Sequence, residues 1–107
     1  GTMSGRIINN TIGTPNGTFN SAQAQTGSSS FGNGIGVFLE KGAGTGSLTG
    51  RVLIENNTIA DVDAEGIRLR SNNTDSSGLG IARLEVQLNN NVIRDLGPRG
   101  TGGIEAQ

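Results

Sequence analysis

An asparagine pair set among aliphatic residues recurs three times along this chain, and each time a Gly-Ile step follows. The copies are Ile7-Ile8-Asn9-Asn10-Thr11-Ile12 with Gly34-Ile35, Ile54-Glu55-Asn56-Asn57-Thr58-Ile59 with Gly66-Ile67, and Leu88-Asn89-Asn90-Asn91-Val92-Ile93 with Gly103-Ile104. Such a repeat constrains the fold more than any local propensity, because each copy buries its apolar face only by stacking on a neighbour. The spacing is unequal, 47 residues from Asn9 to Asn56 and 34 from Asn56 to Asn90, so the variable length lies in the connecting segments.

The segments before the pairs alternate. Leu48, Gly50, Val52 and Ile54 interleave with Thr49, Arg51, Leu53 and Glu55, and Ala82, Leu84, Val86 and Leu88 interleave with Arg83, Glu85, Gln87 and Asn89. Period-two alternation reads as a half-buried strand, with Leu53 the one apolar residue on the outward parity. A short second segment follows each pair: Ile12, then Ile59 with Val62, then Ile93 with Leu96, with the Asp61-Val62 and Asp95-Leu96 steps aligning the last two copies. A third opens at the glycine and points Ile35, Val37 and Leu39, then Ile67 and Leu69, then Ile104 and Ala106 inward.

Three short strands per repeat describe one coil of a solenoid. The expected fold is all-β, a parallel β-helix (β-solenoid) of about three coils, 6–47, 48–81 and 82–107, with long loop insertions. Residues 1–5 (Gly-Thr-Met-Ser-Gly) read as a cloning remnant, and the chain as a piece of something longer. The connecting segments 13–33, 41–47 and 71–81, with the shorter 63–65 and 97–102, read as Gly-, Ser- and Asn-rich loops. Such loops either shape a binding surface or are tolerated excursions that cost little entropy.

Bends are expected at the asparagine pairs, since Asn adopts left-handed backbone angles more readily than most residues. Equivalent residues on successive coils would lie about 4.8 Å apart. One asparagine of each pair, either Asn9, Asn56 and Asn90 or Asn10, Asn57 and Asn91, should then form an amide ladder. On the outward face the same register sets Arg51 beside Glu85 and Arg68 beside Glu105.

The pattern Val-x-Ile-x-Asn-Asn-x-Ile followed by Gly-Ile-x-Leu resembles the right-handed parallel β-helix repeat of the pectate-lyase-like superfamily. It resembles in particular the Asn- and Gly-rich repeats of large bacterial surface and secreted proteins, and the resemblance covers most of the chain outside its insertions. It implies a bacterial protein at the cell surface or outside the cell, of which this is a non-enzymatic stalk or adhesin segment. The alternative it implies is a fragment of a polysaccharide-active lyase or hydrolase, with polysaccharide as the partner. That superfamily holds enzymes, tailspikes and adhesins alike, so the fold does not carry an activity. In the related lyases an Arg or Lys acts as base near a calcium-binding acidic cluster. Arg68, Arg70 and Arg94 lie near acids here, but no family motif surrounds them and no role transfers.

Composition narrows the functions available. Hydrophobic residues are 32% of the 107, only Phe19, Phe31 and Phe38 are aromatic, and 19 are glycine. A thin aliphatic column can be filled from this, and a broad two-layer core cannot. Net charge is −1 with a single lysine, Lys41, which argues against nucleic acid as a partner. No stretch approaches the length of an apolar membrane span. With neither Cys nor His, no disulfide framework or ordinary zinc site is available.

No catalytic or cofactor-binding residue is assigned, and no cofactor is expected beyond a weak case for Ca²⁺. Asp61 and Asp95 occupy equivalent places on successive repeats; paired carboxylates hold Ca²⁺ or share a proton in glycoside hydrolysis. The plainer expectation is that they face solvent or cap the adjoining turn. Asn72-Asn73-Thr74-Asp75 is rich in oxygen ligands but lacks the spacing of known calcium loops, and reads as a turn. Phe38 falls on the outward parity beside Arg70, either covered by the long insertion or free to stack on a sugar ring. No Thr-x-Thr array is present, which removes a flat ice-binding face. Three coils leave two ends with unpaired strand edges and no visible cap, so the expected partners are flanking coils of a longer parent or copies of the chain joined end to end.

Overall fold

The computed structural model describes residues 1–13, 32–42, 46–62, 64–73, 80–94, 96–97 and 103–107. These residues form nine strands and no helix: β1 (Thr2–Ile8), β2 (Thr11–Ile12), β3 (Ile35–Lys41), β4 (Leu48–Glu55), β5 (Thr58–Ala60), β6 (Ile67–Asn73), β7 (Ala82–Asn89), β8 (Val92–Arg94) and β9 (Ile104–Ala106). Accordingly no described helix is long and apolar enough to cross a membrane.

The strands pair by threes into parallel sheets ordered β1-β4-β7, β2-β5-β8 and β3-β6-β9. Each repeat thus gives one strand to each sheet, and its three strands form one rung. The registers bring like residues together: Ile7, Ile54 and Leu88 in the first sheet, Ile12, Ile59 and Ile93 in the second, Ile35, Ile67 and Ile104 in the third. Alternation fixes this register, because a slip of one residue would turn the whole apolar set outward. In β4 the inward Gly50, Val52 and Ile54 are buried while Arg51 is exposed; Leu53, the outward misfit, is half-covered.

The core is a column belonging chiefly to the middle rung. Ile54, Ile59, Val62 and Ile67 have no exposed surface, and Val52 and Leu69 are 8% exposed. Among their equivalents on the outer rungs, Ile35 of β3 is buried as well, as is Leu39 of the same strand, whereas Ile7, Ile12, Val86, Leu88 and Ile93 are only partly covered and Ile104 is 50% exposed. Full burial of one such side chain contributes about 1.5–3 kcal/mol, so stabilisation falls off from the middle rung toward the third, and toward the first in the sheets of β1 and β2.

Two residue types let the rungs stack. Asn9, Asn56 and Asn90 all have left-handed φ, at 58°, 55° and 53°, and turn the chain from the first sheet to the second. The glycines of the first two Gly-Ile steps lie under an isoleucine of the next rung: a methyl group at Gly34 would overlap Ile59 Cγ2 and the Gly66 carbonyl, and one at Gly66 would overlap Ile93 Cγ2 and the Gly103 carbonyl. The repeat keeps glycine there for lack of space.

Strand limits differ from those read in the sequence. β1 begins at Thr2, which pairs with Thr49, so most of the segment 1–5 is part of a sheet. β3 and β6 also run further, through Lys41 and Asn73, where loops were expected. Lys41 and Ser71 find partners inside the structure. Lys41 is 6% exposed, with Nζ donating to the Gly42 carbonyl at 3.0 Å, and its stem passes where a side chain at Gly80 would sit. Ser71 Oγ donates to the Ala82 carbonyl at 2.9 Å, and its amide donates to the Gln107 carbonyl at 2.9 Å. Most of the segments read as insertions, with Phe19 and Phe31, lie outside the described residues.

Candidate functional site

The second asparagine of each pair forms a ladder across all three rungs. Asn57 Oδ1 accepts from the Asn10 backbone N–H at 3.0 Å and from Asn10 Nδ2 at 2.9 Å. Asn91 Oδ1 accepts in the same way from the Asn57 N–H at 3.1 Å and Nδ2 at 2.9 Å. The other Nδ2 hydrogen of Asn57 goes to the Ile7 carbonyl and that of Asn91 to the Ile54 carbonyl, each at 2.9 Å. Asn57, 1% exposed, therefore uses its whole amide. The two asparagines divide the work: Asn9, Asn56 and Asn90 make the bend, and Asn10, Asn57 and Asn91 join the rungs. Burying a polar amide costs free energy unless it is bonded, and each bond here contributes about 0.5–1.5 kcal/mol net.

The ladder has a direction. Every bond between its members runs from N–H groups of one rung to Oδ1 of the following rung. Among the described residues nothing donates to Asn10 Oδ1, and nothing accepts the Asn91 backbone N–H.

Asp61 directly follows β5, at a bend in the chain. It has no exposed surface and a left-handed φ of 55°. Of the expectations set out for it, facing solvent is overturned: the neighbouring Ala60 and Val62 are equally buried, and the turn carries the carboxyl inward with them. Asp95 lies outside the described residues, as do Thr74 and Asp75, while Asn72 and Asn73 belong to β6. Among the described residues, no three His, Cys, Asp or Glu side chains gather to hold a metal.

The outer sheet faces carry the paired charges. Arg51 Nε meets Glu85 Oε2 at 2.8 Å, and Arg83 Nε meets Glu85 Oε1 at 2.9 Å. The hydrogen bond from Arg51 holds the Glu85 carboxyl below the usual carboxylate range; desolvation opposes this, and the charges of Arg51 and Arg83 add to it. Arg68 and Glu105 form a looser pair at 3.8 Å. On the third sheet Phe38 is 53% exposed, its ring lying over Gly36, and with Glu40, Arg68 and Arg70 it lines a shallow depression of about 300 Å³.

A larger, more apolar hollow of about 370 Å³ opens at the third rung, between the first and third sheets, lined by Leu69, Ser71, Leu84, Val86, Ala106 and Gln107. Leu84 and Val86 point inward from β7, so the hollow exposes the aliphatic column itself.

Comparisons of the chain with protein-family models, with curated proteins and with solved structures each give no match.

Proposed function

We propose that this chain is a three-coil length of parallel β-solenoid, a non-enzymatic structural module that works by stacking on further coils. Its setting is a bacterial protein outside the cell or on its surface, as a stalk or adhesin segment; this draws on the repeat pattern described above. The observation that carries the stacking role is the gradient of burial. Ile54 and Ile67 have no exposed surface, while Ile7, Leu88 and Ile104 in register with them remain partly open, to 50% at Ile104; only Ile35, in register with Ile67 on the first rung, is also buried. A stack whose outer rungs leave aliphatic side chains partly open gains burial from a rung added against them. Each added coil also lengthens a stalk by about 4.8 Å without a change of register.

Sedimentation velocity over a wide concentration range tests this. Growth of the sedimentation coefficient with concentration is the expected result. A single monomeric species at every concentration would contradict the stacking role.

A second reading, a polysaccharide-binding face, has one observation in its favour: exposed Phe38 beside Arg70 on an open sheet. An aromatic face flanked by charged donors suits a sugar ring. Phe38→Ala abolishing retention of the chain on acidic polysaccharide would support it, and no retention of the unaltered chain would remove it.

A further inference from the structure

We infer that copies of this chain join head to tail, the third-rung end of one seated on the first-rung end of the next, to give open-ended polar stacks. This deepens the stacking reading and rests on it, adding the partner, a second copy, and the polarity of the contact.

The polarity comes from the asparagine ladder. Asn10 passes its N–H groups to Asn57 Oδ1, and Asn57 passes its own to Asn91 Oδ1. The first-rung end therefore presents an open acceptor, Asn10 Oδ1, and the third-rung end presents an open donor, the Asn91 N–H. Head-to-tail contact brings donor to acceptor and continues the ladder unchanged. Two third-rung ends would set donor against donor, and two first-rung ends acceptor against acceptor.

Side chains at the two ends agree with this choice. Continuing the register of β1, β4 and β7 sets Leu84 opposite Met3, Val86 opposite Gly5 and Leu88 opposite Ile7 of the next copy. The second sheet likewise sets Ile93 opposite Ile12. Met3 is 51% exposed and the facing hollow is lined by Leu84 and Val86, so a long apolar side chain meets an apolar recess. On the outward face Arg6 would fall opposite Gln87 and one pleat position from Glu85, an attractive pairing. The contact is heterologous, and heterologous contacts that do not close into a ring extend without limit.

Two end-blocked variants test the polarity. Met3→Lys spoils the first-rung end and Ala106→Lys the hollow at the third; both positions are exposed, and circular dichroism matching the unaltered chain shows that each variant folds. Carrying an ammonium group into an apolar contact should weaken association at least tenfold or so. In sedimentation velocity, the unaltered chain should grow with concentration and each variant alone should stay monomeric. Their equimolar mixture should form dimers and stop there, because only one good end of each kind remains. Dimers of either variant by itself, or an unaltered chain that stops at two, would overturn the polarity and leave the stacking reading standing. An unaltered chain that never associates would overturn both.

Discussion

Gly66 and the asparagine pair carry the account at the scale of single residues. A Cβ at Gly66 has no room between Ile93 Cγ2 and the Gly103 carbonyl, so Gly66→Ala should destabilise the fold by about 1–3 kcal/mol in urea denaturation. Gly5→Ala, where nothing lies within 4 Å, should leave it unchanged. The asparagines should separate by role. Asn56→Gly should be nearly neutral and Asn56→Ala should cost about 1–2 kcal/mol, because only the left-handed φ of 55° is at stake. Asn57→Ala should be tolerated less well than either, since it takes the side-chain partner from the Asn10 N–H and the Ile7 carbonyl and leaves Asn91 Oδ1 only the backbone N–H of residue 57, at about 1–3 kcal/mol for each group left unbonded. Equal losses at positions 56 and 57 would contradict this division. That bends and a ladder belong at the asparagine pairs is legible in the sequence. Which asparagine does which is not, because both are the same residue type and only the backbone angle at the corner separates them. Asp61 was illegible for a related reason: its charge suggests solvent, whereas the turn that holds it takes it inward with Ala60 and Val62.

Strands and sheets show how far periodicity reaches. Alternation through Val52, Ile54, Val86 and Leu88 aligns the strands to the residue, and the outward Arg51 meets Glu85 because of it. Strand ends are another matter. Lys41 and Ser71 look like loop residues by type, yet Lys41 Nζ bonds to the Gly42 carbonyl with its stem packed over Gly80, and Ser71 Oγ bonds to the Ala82 carbonyl of the neighbouring sheet. The gradient of burial predicts unequal costs for one substitution: Ile59→Ala should cost about 2–5 kcal/mol, and Ile12→Ala on the outer rung clearly less. Urea denaturation of the two variants measures the difference. The Glu85 pair should contribute little, as exposed pairs do. Its sign is fixed all the same: a carboxyl with a lowered folded pKa adds stability above its unfolded pKa and loses it as the pH falls through the folded value. Glu85→Gln should therefore flatten the acid limb of the stability profile and leave the basic limb alone.

For the molecule as a whole, the fully buried side chains lie mostly in the middle rung, and aliphatic residues of β1, β7, β8 and β9 remain partly open. The two ends differ in hydrogen-bonding sense, so added rungs, whether of a longer chain or of a second copy, should arrive in one orientation. The stacking reading turns on β4 and β5 being protected and the β1 and β7 edges being open. Amide hydrogen exchange resolved by residue, in dilute and in concentrated samples, measures this directly. In dilute solution β4, β5 and β6 should exchange slowest in their three sheets, with β1 and β7 faster. On concentration, protection should rise at the β1 and β7 edges and at the Asn91 amide. Uniform protection of all three rungs, unchanged by concentration, would contradict open ends, and faster exchange in β4 than in β1 and β7 would contradict the order of the stack.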